Sequence, residues 1–480
     1  MAIKGQIFEL LIEDMTDEGA GIGKADGYPL FVKDTVVGDR VRAQVIKDKK
    51  TYGYGRLLEI IEASPDRTAA ACPVAAPCGG CQLQALSYDA QLRFKEKKVR
   101  DALRRIGGID LGGSDAPEFL PIISMENPWH YRCKAEYPVR RNSDGSIVTG
   151  FYAGRTHSVI GCGDCLIGQP GDRDILDTVI GWMNEFDVEP YDEETGLGLV
   201  RHIMIRTSGS TGEKMVCLII NGKRLPFADE LAARLGETVT SFSYSINTRR
   251  NNVIMGREIK TVSGRPYLED AIDGIKYRIS PQSFYQVNPQ QTARLYDRAR
   301  EFANLTGSET VWDLYCGIGT ISLFLAKSAK QVYGVEIIPA AVDNARENAA
   351  INGIENAEFF VGKAEEVLPQ HFAKTGERAD VIVVDPPRKG CDETLLRTMA
   401  EMSPSRIVYV SCNPATLARD VKILKDLGYR PEKICPVDMF PQTVHVESIA
   451  LLQRLSNTRS KEVTLDVDMK DYHRIKSEGR

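Results

Sequence analysis

The sequence predicts a multidomain α/β protein with an N-terminal, OB-like β-barrel, a mixed and mostly β central domain, and a C-terminal Rossmann-like domain. Three observations support this prediction. The first 63 residues alternate short strand-like stretches with Gly- and Asp-rich turns, residues 64–275 are mixed and mostly β-like, and from Tyr277 onward strands and helices alternate. A chain of 480 residues also exceeds one hydrophobic core, so several domains are expected.

The N-terminal barrel is predicted from four alternating stretches, GQIFELLIEDM, YPLFV, DRVRAQVIKD and YGYGRLLEIIE. The segment DEGAGIGKADG between the first two is rich in glycine and aspartate, and we interpret it as a turn. Short strands of this kind close into a small oligonucleotide-binding barrel. The predicted domains are residues 1–63, 64–275 and 276–457, followed by a charged C-terminal extension at 458–480.

The composition is that of a globular protein, with 42% hydrophobic residues, 26% charged residues and a net charge of −5. No apolar run reaches the roughly 18 residues of a membrane helix, and the N-terminus lacks a secretion-signal pattern. We therefore expect a cytoplasmic protein without membrane association, and no obligate protein partner is inferred. Eleven cysteines in such a protein favour metal binding or catalysis over a disulfide framework.

A basic helix is predicted at QLRFKEKKVRDALRRIGG, after a Pro- and Cys-rich segment. Between Gln91 and Arg105 it carries seven Lys or Arg residues and two acidic residues. The pattern fits either a solvated helix face or a contact with RNA phosphates. A negative net charge does not exclude RNA, because local basic patches can supply such contacts.

The C-terminal domain is predicted as a parallel sheet wound with helices on both faces. The strands are expected at TVWDL, QVYGVE, AEFFV, ADVIVVD and RIVYVSC. The helices between them are expected at ISLFLAKSA, AAVDNARENAAIN, DETLLRTMA and ATLARDVKILKDLG.

A glycine-rich turn at the first strand–helix junction of this domain indicates a bound nucleoside. Gly317 and Gly319 fit the first two glycines of a dinucleotide fingerprint, but the third position is Ser322. Glu336 ends the next strand, where a carboxylate can hold both ribose hydroxyls. Adenosine without a pyrophosphate indicates S-adenosylmethionine rather than a nicotinamide cofactor. The alternative is a tight turn that binds no ligand.

A second motif, Asp385-Pro-Pro-Arg388, follows the fourth strand, at the carboxyl edge of the sheet. Ligands of such folds bind at this edge. The two prolines stiffen the turn and fix the direction of Asp385. A rigid loop with a capping aspartate is the alternative interpretation.

The candidate nucleophile is Cys412, the last residue of the strand-like stretch RIVYVSC, directly before the next helix. The positive end of the helix dipole is expected to lower the pKa of this thiol. A thiolate that adds to carbon 6 of uracil converts the ring to an enolate, and carbon 5 can then accept a methyl group. The alternative is a small buried core cysteine.

The candidate base is Glu447, in the strand-like stretch TVHVESIALLQR. A base must remove the proton from carbon 5 before the enzyme can be eliminated. A surface or ion-paired carboxylate is the alternative, and His445 on the same predicted strand face is interpreted as structural. Cytosine methyltransferases usually carry a Pro-Cys nucleophile after the fourth strand, and amine methylation would want an Asn-Pro-Pro-aromatic turn there. This chain has Asp-Pro-Pro at that place, which argues against both reactions.

Cys72, Cys78 and Cys81 form a C-x5-C-x2-C run that predicts a metal or cluster site. Thiolates suit zinc or an iron–sulfur cluster, and the spacing does not choose between them. A fourth ligand must come from farther along the chain, and the candidates are Cys165, Cys162 and, less favoured, Cys133. The other four cysteines are interpreted as packing residues: Cys217, Cys316, Cys391 and Cys435.

Taken together, these motifs resemble the RNA uracil-C5 methyltransferase family, and most closely its iron–sulfur-containing 23S ribosomal RNA branch. The resemblance spans Gly5 to about Leu455, with five separated motifs in the family's order. It implies that the barrel is an RNA-binding TRAM domain. It also implies a [4Fe–4S] cluster held by Cys72, Cys78, Cys81 and Cys165.

The resemblance further assigns roles in the C-terminal domain. SCNPATLARD matches the family's nucleophile motif at Cys412, and HVESIALL its general-base motif at Glu447. The cofactor contacts that it implies for S-adenosylmethionine are Gln286 in SPQSFYQVN, Tyr315, Thr320, Glu336 and Asp385. At Thr320 the family often has asparagine, so this chain departs from the pattern there.

The predicted function is the formation of 5-methyluridine in RNA, with 23S rRNA as the target. One alternative keeps the chemistry and changes the substrate to tRNA. A second alternative is a metal-dependent RNA-binding protein whose methyltransferase fold is inactive. The intact motifs at Asp385, Cys412 and Glu447 argue against the second alternative.

Overall fold

The structure is a computed structural model that describes residues 3–154 and 156–455. The charged extension predicted at 458–480 lies outside these described residues, and the domain boundaries stay a prediction. Among the helices that are described, none has the length and apolar character needed to cross a bilayer.

Five strands close the N-terminal barrel, as predicted. They are β1 (Ile7–Met15), β2 (Gly21–Ala25), β3 (Tyr28–Val32), β4 (Arg40–Asp48) and β5 (Gly53–Glu62), joined in the order β1-β2-β3-β5-β4. Side chains such as Leu10, Leu30 and Val41 fill the interior. The interpretation of GIGKA as part of a turn is wrong, because it forms β2 and pairs with both β1 and β3. A Cβ at Gly21 would lie 2.2 Å from Thr35 Oγ1, which explains the glycine in this strand.

The basic helix is α1 (Tyr88–Arg105), and it is followed by the short strand β6 (Glu118–Phe119). Ser87 caps α1, because its side chain accepts a hydrogen bond from the amide of Ala90. The helix lies against the C-terminal sheet, where Val99 and Leu103 are fully buried in one of its cores.

The central region is a seven-stranded sheet with two helices packed against it. Its elements are β7 (Lys134–Arg141), β8 (Ile147–Tyr152), β9 (Val159–Gly161), α2 (Asp172–Glu185), β10 (Val200–Thr207), β11 (Lys214–Ile220), α3 (Ala228–Leu235), β12 (Ser241–Ile246) and β13 (Glu258–Gly264). The strand order is β13-β12-β11-β10-β7-β8-β9, and Trp182, Leu218 and Phe242 lie in its core. The mostly β character of this region agrees with the sequence prediction.

The C-terminal region begins with a hairpin and continues as an α/β sheet. Its first elements are β14 (Leu268–Ile272), β15 (Ile275–Ile279), α4 (Pro289–Ala303), β16 (Thr310–Leu314), α5 (Thr320–Ala326), β17 (Gln331–Glu336) and α6 (Pro339–Ile351). The remaining elements are β18 (Ala357–Val361), α7 (Ala364–Thr375), β19 (Val381–Val384), α8 (Glu393–Met402), β20 (Arg406–Ser411), α9 (Pro414–Asp426), β21 (Tyr429–Val437) and β22 (Glu447–Arg454).

The sheet has eight strands in the order β18-β17-β16-β19-β20-β22-β21-β6. Successive residues of β16 point to opposite faces, so Val311 and Trp312 lie in separate hydrophobic cores, one on each side of the sheet. The prediction of a parallel sheet is confirmed for the five strands that it named, β16 to β20. The strands from β18 to β20 are parallel, but β22 pairs antiparallel with both β20 and β21. Local hydrophobic pattern does not encode strand direction, so this reversal was invisible in the sequence.

Candidate active site

The proposed nucleophile and base lie side by side on neighbouring strands. Ser411 of β20 and Ser448 of β22 are direct partners in an antiparallel ladder. Cys412 and Glu447 are the next residues in register, at the end of the sheet where β16, β17 and β19 also end. The antiparallel pairing of β22 with β20, whose direction the sequence did not predict, therefore brings the two side chains together.

The sequence of α9 explains why Cys412 stands at a helix start. Asn413 caps the helix, with its side chain accepting a hydrogen bond from the amide of Ala415, and Pro414 occupies the first turn. Proline at this position costs no backbone hydrogen bond and fixes a helical φ. The Asn413 side chain also donates to the carbonyl of Arg388 at 3.1 Å, which ties this turn to the Asp385-Pro-Pro-Arg388 loop.

The prediction of a lowered thiol pKa at Cys412 is wrong for the protein without substrates. Burial raises the pKa of Cys412 to about 11, and the carboxyl groups of Glu447 and Asp385 add to the rise. Arg388 opposes these effects without overcoming them. The helix dipole is worth about half a charge and does not outweigh desolvation and two acids.

The carboxyl group of Glu447 is buried and incompletely hydrogen-bonded. The residue is 3% exposed, and its Oε2 has no hydrogen-bond partner among the described residues. Burial, followed by the neighbouring Asp385, raises the pKa of Glu447 well above its usual range, while Arg388 lowers it. A carboxylate in this setting is a stronger base than one in water.

Two further acids make this end of the sheet electronegative. Burial raises the pKa of Asp385 to about 6 and that of Asp313 to about 7. Asp313 accepts a 2.5 Å hydrogen bond from Ser322 Oγ, so the serine that interrupts the glycine fingerprint has a structural partner. A concentration of carboxyl groups favours a cationic ligand, and a sulfonium is such a cation.

The residues after β17 fit the adenosine part of a cofactor. Glu336 accepts hydrogen bonds from the amides of Gly317 at 3.3 Å and Ile338 at 3.0 Å, which fixes its carboxylate at the strand end. Ile337 and Ile338 are 59% and 56% exposed, and both line the cavity beside it. Exposed isoleucines beside a carboxylate offer an apolar surface for a base and an acceptor for ribose hydroxyls. The donor set therefore fits S-adenosylmethionine.

The other predicted cofactor contacts, Gln286, Tyr315 and Thr320, also line the cavity, but the Thr320 hydroxyl already has a hydrogen-bond partner. Tyr315 has a left-handed φ of 69°, and Gln286 is 6% exposed. The hydroxyl of Thr320 already accepts a hydrogen bond from Tyr296 at 3.0 Å. A contact between the Thr320 side chain and the cofactor would therefore have to share this hydroxyl.

Five cysteines line another part of the same cavity: Cys72, Cys78, Cys81, Cys162 and Cys165. A hydrogen bond from Cys162 lowers the pKa of Cys165 to about 6, against the effect of burial. Burial, reinforced by the thiols around it, raises the pKa of Cys81 to about 12. Cys133, the less favoured ligand candidate, is buried and places its thiol 3.5 Å from the carbonyl of Gln286.

The described residues contain no set of three or more His, Cys, Asp or Glu side chains arranged to hold a metal ion. The predicted cluster therefore stays a prediction. The chemistry of the donors nevertheless fits it, because Cys72, Cys78, Cys81 and Cys165 are half-buried thiols whose charges influence one another. Cys162 competes with Cys165 for the fourth position, since the two thiols are hydrogen-bonded.

Sequence reasoning gave no role to Arg388, although it quoted the motif that contains it. Arg388 is exposed, lines the cavity, and influences the pKa values of both Cys412 and Glu447. A cation following a rigid Asp-Pro-Pro turn was the available signal. The interpretation of His445 as sharing a strand face with Glu447 is wrong, because β22 begins only at Glu447 and His445 lies in the preceding loop.

One cavity of about 1210 Å³ connects all these groups. It reaches from the glycine-rich turn and Glu336, past Cys412 and Glu447, to the cysteines and to Arg132 and Lys134. The volume exceeds that of typical single-ligand pockets, which are about 300–1,000 Å³. The cavity can therefore accept a cofactor together with a nucleobase.

Comparison with known proteins identifies relatives over nearly the full length of the chain. A family model for tRNA (uracil-5-)-methyltransferases matches residues 253–455, and a TRAM domain model matches residues 2–58. An uncharacterized RNA methyltransferase of Halalkalibacterium halodurans is 52% identical, covering 94% of this chain and 97% of its own length. One from Listeria monocytogenes is 49% identical, with 94% and 98% covered.

A solved structure resembles this fold over both chains. It is the tRNA (uracil-54, C5)-methyltransferase of Pyrococcus abyssi in complex with S-adenosyl-L-homocysteine, 28% identical in sequence. The similarity covers 93% of this chain and 100% of that chain, with a TM-score of 0.75.

Proposed function

Because this chain belongs to the RNA uracil-5 methyltransferase family, in which S-adenosylmethionine is the methyl donor, we propose that it forms 5-methyluridine through a covalent bond between Cys412 and the target base. The observation that supports this most is the cross-strand placement of Cys412 beside Glu447, with Asp385 on the adjacent strand end. The three groups face one cavity with the glycine-rich turn. A nucleophile, a base and a cofactor site thus lie within reach of one nucleobase.

The first half of the reaction forms the Cys412 adduct. The thiol gives its proton to water, Sγ bonds to carbon 6 of uracil, and the electrons of the double bond between carbons 5 and 6 move toward carbon 5 and the oxygen on carbon 4. Bound S-adenosylmethionine supplies the methyl group that carbon 5 accepts. Because burial and the neighbouring acids raise the pKa of Cys412 to about 11, we infer that the thiol loses its proton only once substrates are bound. Arg388 is the nearby cation that favours the negative charge on thiolate and enolate.

The second half of the reaction releases the product. Glu447 removes the proton from carbon 5, and the C–H electrons form the double bond between carbons 5 and 6. As this double bond forms, the bond between Sγ and carbon 6 breaks, and its electron pair returns to the Cys412 sulfur. The raised pKa of Glu447 suits this step, because the acceptor must bind the proton firmly.

The target base must leave its stack to reach the thiol, so the enzyme acts on a loop or extrudes the uridine. The TRAM barrel is the RNA-binding part that the family model identifies. Contacts with phosphates are expected to make RNA affinity fall as salt rises. We favour 23S rRNA as the substrate because of the cysteine run; tRNA is the alternative, and the Pyrococcus relative is named for tRNA.

We further propose that Cys72, Cys78, Cys81 and Cys165 hold a [4Fe–4S] cluster. Uracil methylation needs no electron transfer, so the cluster would brace the fold or shape the RNA contact. The proposed structural role fails if Cys78→Ser keeps the fold and the RNA affinity but loses only the chemical step.

Incubation with RNA containing 5-fluorouridine tests the covalent mechanism. Fluorine at carbon 5 leaves no proton for Glu447 to remove, so elimination stops and the adduct persists. We expect a denaturation-resistant protein–RNA complex that requires the cofactor and is absent with Cys412→Ala. Absence of any complex with the unaltered protein, or its persistence in the variant, would refute the mechanism.

Mass mapping of methylated uridines in rRNA and tRNA, from cells with and without this gene, identifies the substrate. Loss of 5-methyluridine from 23S rRNA is the expected result. Loss from tRNA alone would favour the first alternative. Unchanged 5-methyluridine in both RNAs would favour the inactive RNA-binding protein.

A further inference from the structure

Glu447 is reached through an irregular stretch of chain, residues 438–446, which we call the base loop. It connects β21 to β22 and lacks regular secondary structure. Gln442 within it has a left-handed φ of 69°. A loop of this kind cannot pair its carbonyl groups within a helix or sheet, so their partners must come from elsewhere.

Donors from distant parts of the chain satisfy the carbonyl groups of the base loop. The described part of the chain supplies six such bonds: Gln291 to Asp438, Asn288 to Met439, Lys95 to Phe440, Tyr131 to Pro441, the amide of Leu83 to Gln442, and Lys98 to Val444. Their lengths run from 2.9 to 3.1 Å. These distant donors act together with bonds inside the loop, such as the one from Thr443 Oγ1 to the Phe440 carbonyl at 2.8 Å, to fix its conformation.

When bonds to the side chains and amides of the base loop are included, helix α1 makes the most contacts with it among the described residues. Gln91 exchanges two hydrogen bonds with Gln442, side chain to side chain and side chain to backbone, each 2.9 Å long. Lys95 forms an ion pair with Asp438 in which both side chains are 0% exposed. Lys98 donates to the carbonyl of Val444 at 3.1 Å, three residues before the base.

The segment that leads from the cysteines into α1 contributes as well. Leu83, two residues after Cys81, donates its amide to the Gln442 carbonyl at 3.0 Å. The side chain of Gln82 accepts a hydrogen bond from the amide of Val444 at 3.4 Å. The base loop is thus held from one side by a continuous stretch of chain, residues 82–98.

The carboxylate of Glu447 has little of its own to hold it in place. Its Oε2 lacks a hydrogen-bond partner among the described residues, and no ion pair of Glu447 is recorded there. Its position depends on the backbone that carries it, and a misplacement of about 1 Å can slow catalysis by about 100-fold.

We propose that Gln91 and Lys98 of α1 are positioning residues that hold the base loop and thereby place Glu447 over carbon 5 of the target base. This inference rests on the proposed function. From the sequence, this helix was interpreted as a solvated face or an RNA contact. The inference assigns it a role in the second half of the reaction, the removal of the carbon 5 proton. Cys412 and the cofactor turn lie on other elements, so the first half is expected to proceed without the contacts.

The test compares neighbouring lysines of the same helix. Lys98→Met removes the bond to Val444 and a second bond to the carbonyl of Asp17. Lys97→Met removes only surface ion pairs with Asp101 and Asp14 and serves as the matched control. Gln91→Leu removes both bonds to Gln442 at similar side-chain volume. Thermal melting of each full-length variant verifies that it folds. If Gln91→Leu fails to fold, Lys98→Met still tests the inference, because Lys98 is only half-buried and its substitution is tolerated.

The readout is the methylated covalent adduct with unmodified RNA and S-adenosylmethionine. A misplaced base slows elimination but not addition or methyl transfer, so adduct accumulates while turnover falls. We expect Lys98→Met and Gln91→Leu to lower turnover about tenfold and to raise the steady-state adduct, with Lys97→Met unchanged. Glu447→Gln gives the upper limit of accumulation.

Two results would overturn the inference. One is normal turnover by both folded variants, and the other is reduced turnover without a rise in adduct, as a merely structural role would give. These outcomes differ from failure of the proposed function itself, which would appear as no adduct in Glu447→Gln. If Glu447→Gln accumulates adduct and the α1 variants do not, only the positioning role is wrong.

Discussion

Two groups of residues place thiols around one cavity in opposite surroundings. One group surrounds Cys412 at the end of β20, and the other is the set of five cysteines that includes Cys165. Cys412 lies among carboxyl groups, which together with burial raise its pKa to about 11. Cys165 lies beside another thiol, whose hydrogen bond lowers its pKa to about 6. If Cys412 acts as proposed, the comparison teaches that a nucleophile need not be ionised before its substrates bind. A metal ligand must be a thiolate to bind, whereas a substrate-activated thiol can stay protonated until the base arrives.

The largest expected effect is at Cys412. Cys412→Ala removes the atom that bonds to carbon 6, so methyl transfer to RNA should fall by about 10⁴-fold or more. Cys435→Ala, at a buried cysteine of β21, is the control and should stay within a few-fold of the unaltered protein. Transfer of radiolabelled methyl groups measures both. Appreciable activity in Cys412→Ala would contradict the assignment of Cys412 as the nucleophile, on which the comparison of the two thiols depends.

Glu447→Gln should have the next largest effect. An amide cannot accept the carbon 5 proton, so turnover is expected to fall by about 10²- to 10⁴-fold. The first methyl transfer should still occur, because Cys412 and the cofactor site are unchanged. Rapid-quench kinetics separate the two steps, and Glu432→Gln on the surface of β21 is the control. Equal loss of both steps would assign Glu447 a different role.

The pH dependence of thiol alkylation sharpens the contrast. A thiol whose pKa is raised to about 11 gains thiolate about tenfold per pH unit below that value. Reaction of iodoacetamide at Cys412 should therefore rise about 100-fold between pH 7 and pH 9, with no plateau. Peptide mass spectrometry follows the site, and Cys412→Ala gives the background. A plateau near neutral pH would restore the helix-dipole prediction.

The smallest expected effect on chemistry is at the cysteine run. Cys78→Ser should abolish iron binding by the reconstituted protein, yet change the single-turnover methylation rate by less than about tenfold once RNA is saturating. The physical reason is that the reaction needs no electron from a cluster. Iron content, RNA affinity and single-turnover rate are measured together. Zinc in place of iron in the unaltered protein would favour the other metal that the spacing allows.

The sequence predicted the parts of the fold that local pattern encodes. β16 and β17 were predicted residue for residue, because buried apolar runs and flanking turns define them. β2 was missed since its glycines look like a turn, although they serve close strand packing at Gly21. The helices α4 and α7 were also left unassigned.

The candidate site was predicted from motifs, but its electrostatics were not. The residues chosen from the sequence all line one cavity. The direction of the Cys412 pKa shift was wrong, because it depends on Glu447 and Asp385, whose proximity comes from strand pairing rather than from spacing along the chain. The Lys95–Asp438 pair, separated by 343 positions, gave no sequence signal at all.

The contact between Gln91 and Gln442 joins residues 351 positions apart, and this separation affects how the protein is made. At roughly 5–20 residues per second, a ribosome needs roughly 20 to 70 s to synthesise the intervening chain. During that interval α1 lacks its partner, and Glu447 has not yet been synthesised. The contact therefore cannot form until the ribosome has reached Gln442. A recombinant fragment of residues 253–455 contains both Cys412 and Glu447. It would lack α1, and with it the contact of Gln91 with Gln442 in the base loop.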